Sequence, residues 1–169
     1  MNYLMILLRL IHIIGGVFWV GAALLLQFFV APAVAANPEA GQKLMGQMMG
    51  KARLSARMAA AGGATVLAGA IMYWLDSDGF TSAWTRSGPG IGFGLGAVFG
   101  IIGLILGVMV GRSNAAMMQL GGQIKGKPSA EQVAQMGALQ KQSQSLGWAN
   151  SISLILAVVL MATARYFSF

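Results

Sequence analysis

Four stretches of the chain are apolar for long enough to cross a bilayer as helices: Leu4–Val30, Met58–Leu75, Ile91–Gly111 and Leu146–Phe167. A spanning helix needs about 20 such residues. The stretches between them are of two kinds. Asp76 to Gly90 is rich in Gly, Ser, Thr, Asp and Pro and predicts a true loop. The connections 31–57 and 112–145 are polar but hold few breakers. In the first, Asn37-Pro38-Glu39 combines a capping residue, a proline suited to the first helical position and an acid that complements the helix dipole. A helix is therefore expected to begin there and to run through Lys43, Lys51, Arg53 and Arg57 straight into the second span. In the other, Gly126-Lys127-Pro128 is the strong breaker, and Ser129 with Gln132 after it forms a capping-box pattern. This predicts a helical hairpin that prolongs the third and fourth spans. The expected fold is all-α: one integral-membrane four-helix bundle over residues 1–169, with helices two to four extended beyond the bilayer.

The polar exceptions in the first span give that helix an inside. At 100° per residue Arg9, His12, Gly16, Trp19, Ala23 and Gln27 fall within roughly 80° of one another. Lipid satisfies neither a guanidinium nor an imidazole nor an amide, so this stripe is expected to face protein or water. Arg9 and His12 are expected to point into the bundle, with Asp76 or Asp78 as the charge partner of Arg9; snorkelling of Arg9 to the headgroups is the alternative. Gln27 lies about 27 Å from Arg9 along the axis and belongs to the opposite end.

The third span carries a different stripe. Gly92, Gly96, Gly100, Gly103, Gly107 and Gly111 occupy an arc about 100° wide, which lets another helix backbone come close. Gly62, Gly63 and Gly69 suggest similar packing in the second span. Gly92-x-Gly94-x-x-Ala97 matches the dinucleotide fingerprint, but no strand precedes it and no acid follows at the right distance, so it is read as packing.

Composition sharpens this picture. Charged residues make up 9% of the chain against 57% hydrophobic, far from the soluble average of about 25% charged. The absence of cysteine removes disulfides, thiolate metal sites and covalent c-type haem. The net charge of +7 comes mostly from Lys43, Lys51, Arg53, Arg57, Arg112, Lys125, Lys127 and Lys141, all in the two polar connections, whereas Arg86 alone occupies the outer loop. The positive-inside rule therefore puts connections 31–57 and 112–145 in the cytoplasm and both termini outside, N-out/C-out, in a bacterial-type inner membrane. Anionic lipid, rather than nucleic acid, is the partner these charges suggest. Ala33-Val34-Ala35 imitates a signal-peptidase site, but the apolar run before it exceeds the roughly 7 to 15 residues of a signal core, so the segment is expected to stay.

Candidate chemistry centres on His12, the only histidine. A neutral imidazole on a rigid helix beside glycines could ligate a haem or a metal, or it could hydrogen-bond a carbonyl or carboxylate and bind nothing; a proton relay is a further alternative. The twelve methionines, among them Met45, Met48, Met49, Met58, Met117 and Met118, are read as packing rather than as a Cu(I) thioether site. Four carboxylates and one histidine do not assemble a hydrolytic triad. Trp74, Trp84 and Trp148 are expected as interfacial anchors.

Leu10-Ile11-His12-Ile13-Ile14-Gly15-Gly16-Val17-Phe18-Trp19-Val20-Gly21 resembles the first-helix motif of small membrane proteins that include the CopD-type copper resistance proteins and the HemJ-type protoporphyrinogen oxidases. The resemblance covers one helix of the four. It implies a compact helical bundle and, for the HemJ-type group, a haem b held by the histidine matching His12. Those oxidases also use a lysine in a membrane helix, whereas every lysine here lies in a polar connection. The copper-type members use further histidines or outward-facing methionines, whereas this chain has no second histidine and no obvious outer methionine cluster. The functional expectation is an accessory or assembly subunit of a larger membrane complex, of electron-transfer type. It packs against other subunits or itself through small-residue faces. A haem b redox protein is the alternative and copper transport or resistance the third reading.

The topology is directly testable. A reporter that is active only outside the cytoplasm, fused after Phe169, should be active; activity of a cytoplasm-only reporter at that position would invert the orientation read from the charges.

Overall fold

The computed structural model describes residues 3–124 and 126–168, except for the side chain of Pro38. Lys125, counted among the cytoplasmic charges, lies outside them. The described residues are mostly helical and contain no strand. In chain order come α1 (Tyr3–Leu25), a π-turn (Leu26–Val30) and α2 (Ala31–Ala36), then α3 (Pro38–Gly46), a second π-turn (Gln47–Lys51) and α4 (Leu54–Asp76). After a short 3-10 turn (Ala83–Arg86) follow α5 (Gly88–Gln123) and α6 (Ala130–Thr163), closed by a 3-10 turn (Ala164–Tyr166). Four helical stretches are long and apolar enough to cross a membrane: Tyr3–Ala36, Leu54–Asp76, Gly88–Gln123 and Ala130–Tyr166.

Connection 31–57 differs from the sequence expectation in two ways. Helix one does not end at Val30 but runs on through α2 to Ala36, and the long helix expected from Pro38 through Arg57 is broken. The break is at Arg53, whose φ of 50° puts a non-glycine residue in the left-handed region, a cost of about 1 to 3 kcal/mol. No glycine or proline marks it. The reversal itself is made earlier, at Asn37 (φ −134°, ψ 75°), where Gly41 packs against Val34, and the Arg57 N–H bond to the Arg53 carbonyl, 3.0 Å, opens the new helix. Asn37 precedes α3 without a side-chain cap. It is shared between two helices instead: its N–H reaches the Ala33 carbonyl and its carbonyl accepts from Gly41.

The capping box at α6 forms in full, with Ser129 Oγ accepting from the Gln132 N–H at 3.2 Å and Gln132 Oε1 accepting from the Ser129 N–H at 2.9 Å. At the other end of the molecule the loop after α4 is tied by Ser77, wholly buried, whose Oγ donates to the Trp74 carbonyl and accepts from the Phe80 N–H. Tyr73 donates to the Gly90 carbonyl and packs on Phe80 and Trp84, so α4 and the start of α5 are joined through an aromatic cluster. Trp74 and Trp148 are exposed, whereas Trp84 is half-buried over Phe93.

The helices pair as α1 with α4 and α5 with α6, and α4 also meets α5 while α1 meets α6. In the α5–α6 seam the glycines do unequal work. A Cβ on Gly103 would lie 2.6 Å from Leu154 Cδ2, on Gly96 3.0 Å from Met161 Cγ, and on Gly92 2.9 Å from the Ala164 backbone. Gly107 is looser, 3.9 Å from Asn150 Oδ1. Gly100 and Gly111 have nothing within 4 Å, so the stripe read from the sequence is a contact only in part. Gly100 is rotated by about 60° from Gly103 toward the edge of the arc.

This difference gives a paired prediction. Gly103→Leu should overpack the seam, lowering stability by about 1 to 3 kcal/mol and the yield of monodisperse protein, while Gly100→Leu should leave both near wild type. Thermal unfolding in detergent reads both; equal loss from the two variants would contradict the seam described.

Candidate functional site

His12 faces α4, with Leu8 buried one turn before it and Trp19 buried two turns after. Its Nδ1 lies 2.8 Å from the Thr65 carbonyl oxygen. A carbonyl only accepts, so Nδ1 carries the proton and donates it. With the proton on Nδ1, Nε2 holds the lone pair, and it has no hydrogen-bond partner among the described residues. The ring is half-buried.

Gly69 makes room for this imidazole. A Cβ there would stand 2.8 Å from His12 Cε1 and 2.9 Å from Nδ1. One turn along α1, a Cβ on Gly15 would meet Thr65 Oγ1 at 2.6 Å, and one on Gly16 would touch Thr65 Cγ2 at 3.5 Å. Two turns along, a Cβ on Gly62 would lie 2.8 Å from the Trp19 ring and 3.0 Å from Leu104 Cδ1. Seven residues forward on α1, from His12 to Trp19, are thus met by seven residues back on α4, from Gly69 to Gly62. The two helices share an antiparallel, ring-into-glycine seam. Thr65 Oγ1 is buried in that seam without a hydrogen-bond partner, as are Asn150 Oδ1 and Ser151 Oγ on α6.

Trp19, Ala23 and Leu154 form the buried apolar core, with Val20, Met58, Ala61, Val66 and Leu104 against it. Four helices meet there: α1, α4, α5 and α6. Gln27, in the π-turn after α1, brings its amide oxygen against Gly147 of α6, and next to it Phe28 meets Trp148 edge-on at 5.2 Å. The π-turn adds one residue to the helical turn, a local change of phase that a strictly α-helical projection of the sequence does not include.

The stripe read on α1 therefore divides. His12, Trp19 and Gln27 meet other helices, at three different heights and on two different partners. Arg9 does not join them. It is exposed and pairs with neither Asp76 nor Asp78, both also exposed; the one ion pair among the described residues is Lys43–Glu39, 3.0 Å, on the surface of α3. The reason is angular: Leu8 occupies the inward position on that turn, and the neighbouring Arg9 is rotated by about 100° toward the outside, six residues from Tyr3.

Thr65 is the partner that sequence reasoning missed. The signal was present: His12 and Trp19 are spaced seven apart, and so are Gly62 and Gly69. As a donor set for a cofactor the site offers one imidazole nitrogen. The glycine clearance beside it is filled by the ring itself and by Thr65, so no slot for a flat macrocycle is formed between α1 and α4 by these glycines. His12 Nε2 is the atom of this seam that would hold a haem. No group of three or more His, Cys, Asp or Glu side chains suited to a metal is found among the described residues. Comparison with protein-family models, with curated proteins and with solved structures finds no match to this chain.

With a single histidine the tautomer can be read without ambiguity. Solid-state ¹⁵N NMR of the imidazole in bilayers should show Nδ1 protonated and bonded. Gly69→Ala should disturb that signal and cost about 1 to 3 kcal/mol of stability; a proton on Nε2 alone would contradict the Thr65 contact.

Proposed function

We propose that this chain is an accessory or assembly subunit of a larger membrane complex, of electron-transfer type, with both termini outside the cytoplasm. The observation that carries the reading is the state of His12. One of its nitrogens is committed to the Thr65 carbonyl and holds α1 on α4, and the other has no hydrogen-bond partner among the described residues at the half-buried edge of that seam. An imidazole anchored in this way serves first as a structural staple and presents its remaining nitrogen to whatever lies beside the helix pair. The outward surface supports the same reading: Val17 is 71% exposed and Leu67 64%, so the flanks of the seam are apolar and open to lipid or to another spanning helix.

A haem b role is the second reading, favoured by one observation. An Nδ1–H···O=C bond fixes the tautomer and orientation of many ligating histidines, and it leaves Nε2 as the ligating atom. In that role His12 would hold the haem through Nε2, and the Thr65 carbonyl would keep the ring in place.

Native mass analysis of the protein drawn gently from its own membrane separates the alternatives. A stoichiometric assembly clearly above the 17.6 kDa of one chain is expected, and a lone colourless chain would overturn the subunit reading. For the second reading the absorption spectrum decides: a Soret band present in the assembly and lost in His12→Ala supports it, and a spectrum unchanged by that substitution removes it.

A further inference from the structure

Three polar side chains on the α1–α6 side of the bundle are not explained by the packing. Asn150 is 6% exposed and Ser151 1%, and neither Asn150 Oδ1 nor Ser151 Oγ has a hydrogen-bond partner among the described residues. Gln27 is half-buried, and its amide likewise has no hydrogen-bond partner there. Polar atoms shut away in a protein are as a rule matched by other protein groups or by ordered water.

The three come together at one height. Gly147 precedes Asn150 by three residues and Ser151 by four, positions whose Cβ atoms stand about 5–6 Å apart on one helix surface. Gln27 lays its amide on that same glycine: a Cβ on Gly147 would run into Gln27 Oε1, with Nε2 3.8 Å away. Gln27 lies in the π-turn that follows α1, a form of helix found often at functional sites. Asn150 Oδ1 is aimed at the glycine face of α5, 3.6 Å from the place of a Cβ on Gly103 and 3.9 Å from one on Gly107. Nothing else lies within 4 Å of the Gly107 position. Toward His12 the cluster is shut off by the core of Trp19, Leu104 and Leu154, and Leu154 stands about one turn from Asn150. Away from His12 it approaches the membrane edge, because Gln27 lies about 36 Å along the helix from Tyr3, further than the roughly 30 Å of a hydrocarbon core.

We propose that this cluster binds ordered water, which joins α1 to α6 through Gln27, Asn150 and Ser151 over the glycine face of α5. Two hydrogen bonds through one water oxygen span up to about 5.6 Å, the separation that the placement of Gln27 on Gly147 produces. The chemistry selects water over an ion. Two carboxamides and a hydroxyl are neutral and offer both donors and acceptors, so they match a molecule that gives and takes hydrogen bonds. A hard cation takes about six oxygen ligands, and the cluster holds three side chains and no carboxylate. An internal water needs about three bonds to such groups. Either end of the Asn150 amide can meet it, since a half turn of the amide exchanges oxygen and nitrogen. The inference rests on the helix packing and not on the subunit reading of the chain.

The chain has four asparagines, Asn2, Asn37, Asn114 and Asn150, so selective ¹⁵N labelling gives few side-chain amide signals, and Asn150→Ser identifies one of them by its loss. Solid-state NMR of the chain in bilayers, with polarisation passed from water to these amides, reads the site. The Asn150 amide should receive polarisation from a held water, and the transfer should be lost in Gln27→Met and weakened in Ser151→Ala. The amide of Asn37, which is exposed, should respond equally in all three proteins. No transfer to Asn150 in the unmodified chain overturns the proposal, whatever the variants do. A direct contact between the Gln27 and Asn150 amides also overturns it, because the two would then satisfy each other. Transfer unchanged in both variants would mean that water reaches Asn150 without these partners, and the site would fall. A lone chain in native mass analysis would contradict the subunit reading and leave this result standing.

Discussion

Trp19 lying in the notch of Gly62 is the contact on which the other packing depends. A large ring beside a glycine sets how closely α1 and α4 approach, and it does so at the height where Leu104 of α5 and Leu154 of α6 also arrive. In lipid there is no hydrophobic gain from bringing helices together, so shape and internal hydrogen bonds must do it. Here the shape is a ring against a glycine, repeated by His12 at Gly69, and the hydrogen bond is the one from His12 Nδ1 to the Thr65 carbonyl. Fixing two heights seven residues apart on both helices also fixes the register between them.

The α5–α6 pair solves the same problem with aliphatic side chains. Leu154 and Met161 enter the spaces above Gly103 and Gly96, and Ser153 donates to the Phe99 carbonyl at 3.0 Å. Beyond the apolar stretch the pair is held by polar contacts such as Ser143 Oγ to Asn114 Oδ1, 2.9 Å, where water is a competitor and packing counts for less. Few residues of the four spans are buried by the chain itself, 11%, 17%, 11% and 33% of their most apolar windows. The outer surface is therefore left to the bilayer or to neighbours.

How much of this was legible in the sequence depends on which force decided each element. The four apolar stretches and the capping box at Ser129 are local signals, and the structure has helices at all of them and the box in full. Arg53 in a left-handed conformation was not legible, because it is neither glycine nor asparagine, the residues that usually mark that conformation. Arg9 shows the limit of a helical projection: an 80° arc groups residues, but a rotation of about 100° from Leu8 is enough to put its charge outside. Gly100 shows the same limit from the other side, since a glycine on the arc's edge has nothing to receive. For the candidate site, His12 was evident as the lone imidazole, while Thr65 came from a partner helix whose register the sequence carried only as the matched seven-residue spacings.

Because that register underlies both the fold and the reading of His12, it is the claim to test. The Gly15 position places its Cβ 3.9 Å from Thr65 Cβ, within the range a disulfide requires. In the cysteine-free chain, Gly15→Cys with Thr65→Cys should cross-link almost completely under a mild oxidant in native membranes, whereas Gly15→Cys with Leu67→Cys, on the outward face, should stay reduced. Failure of the first pair, or equal closure of both, would contradict the seam between α1 and α4.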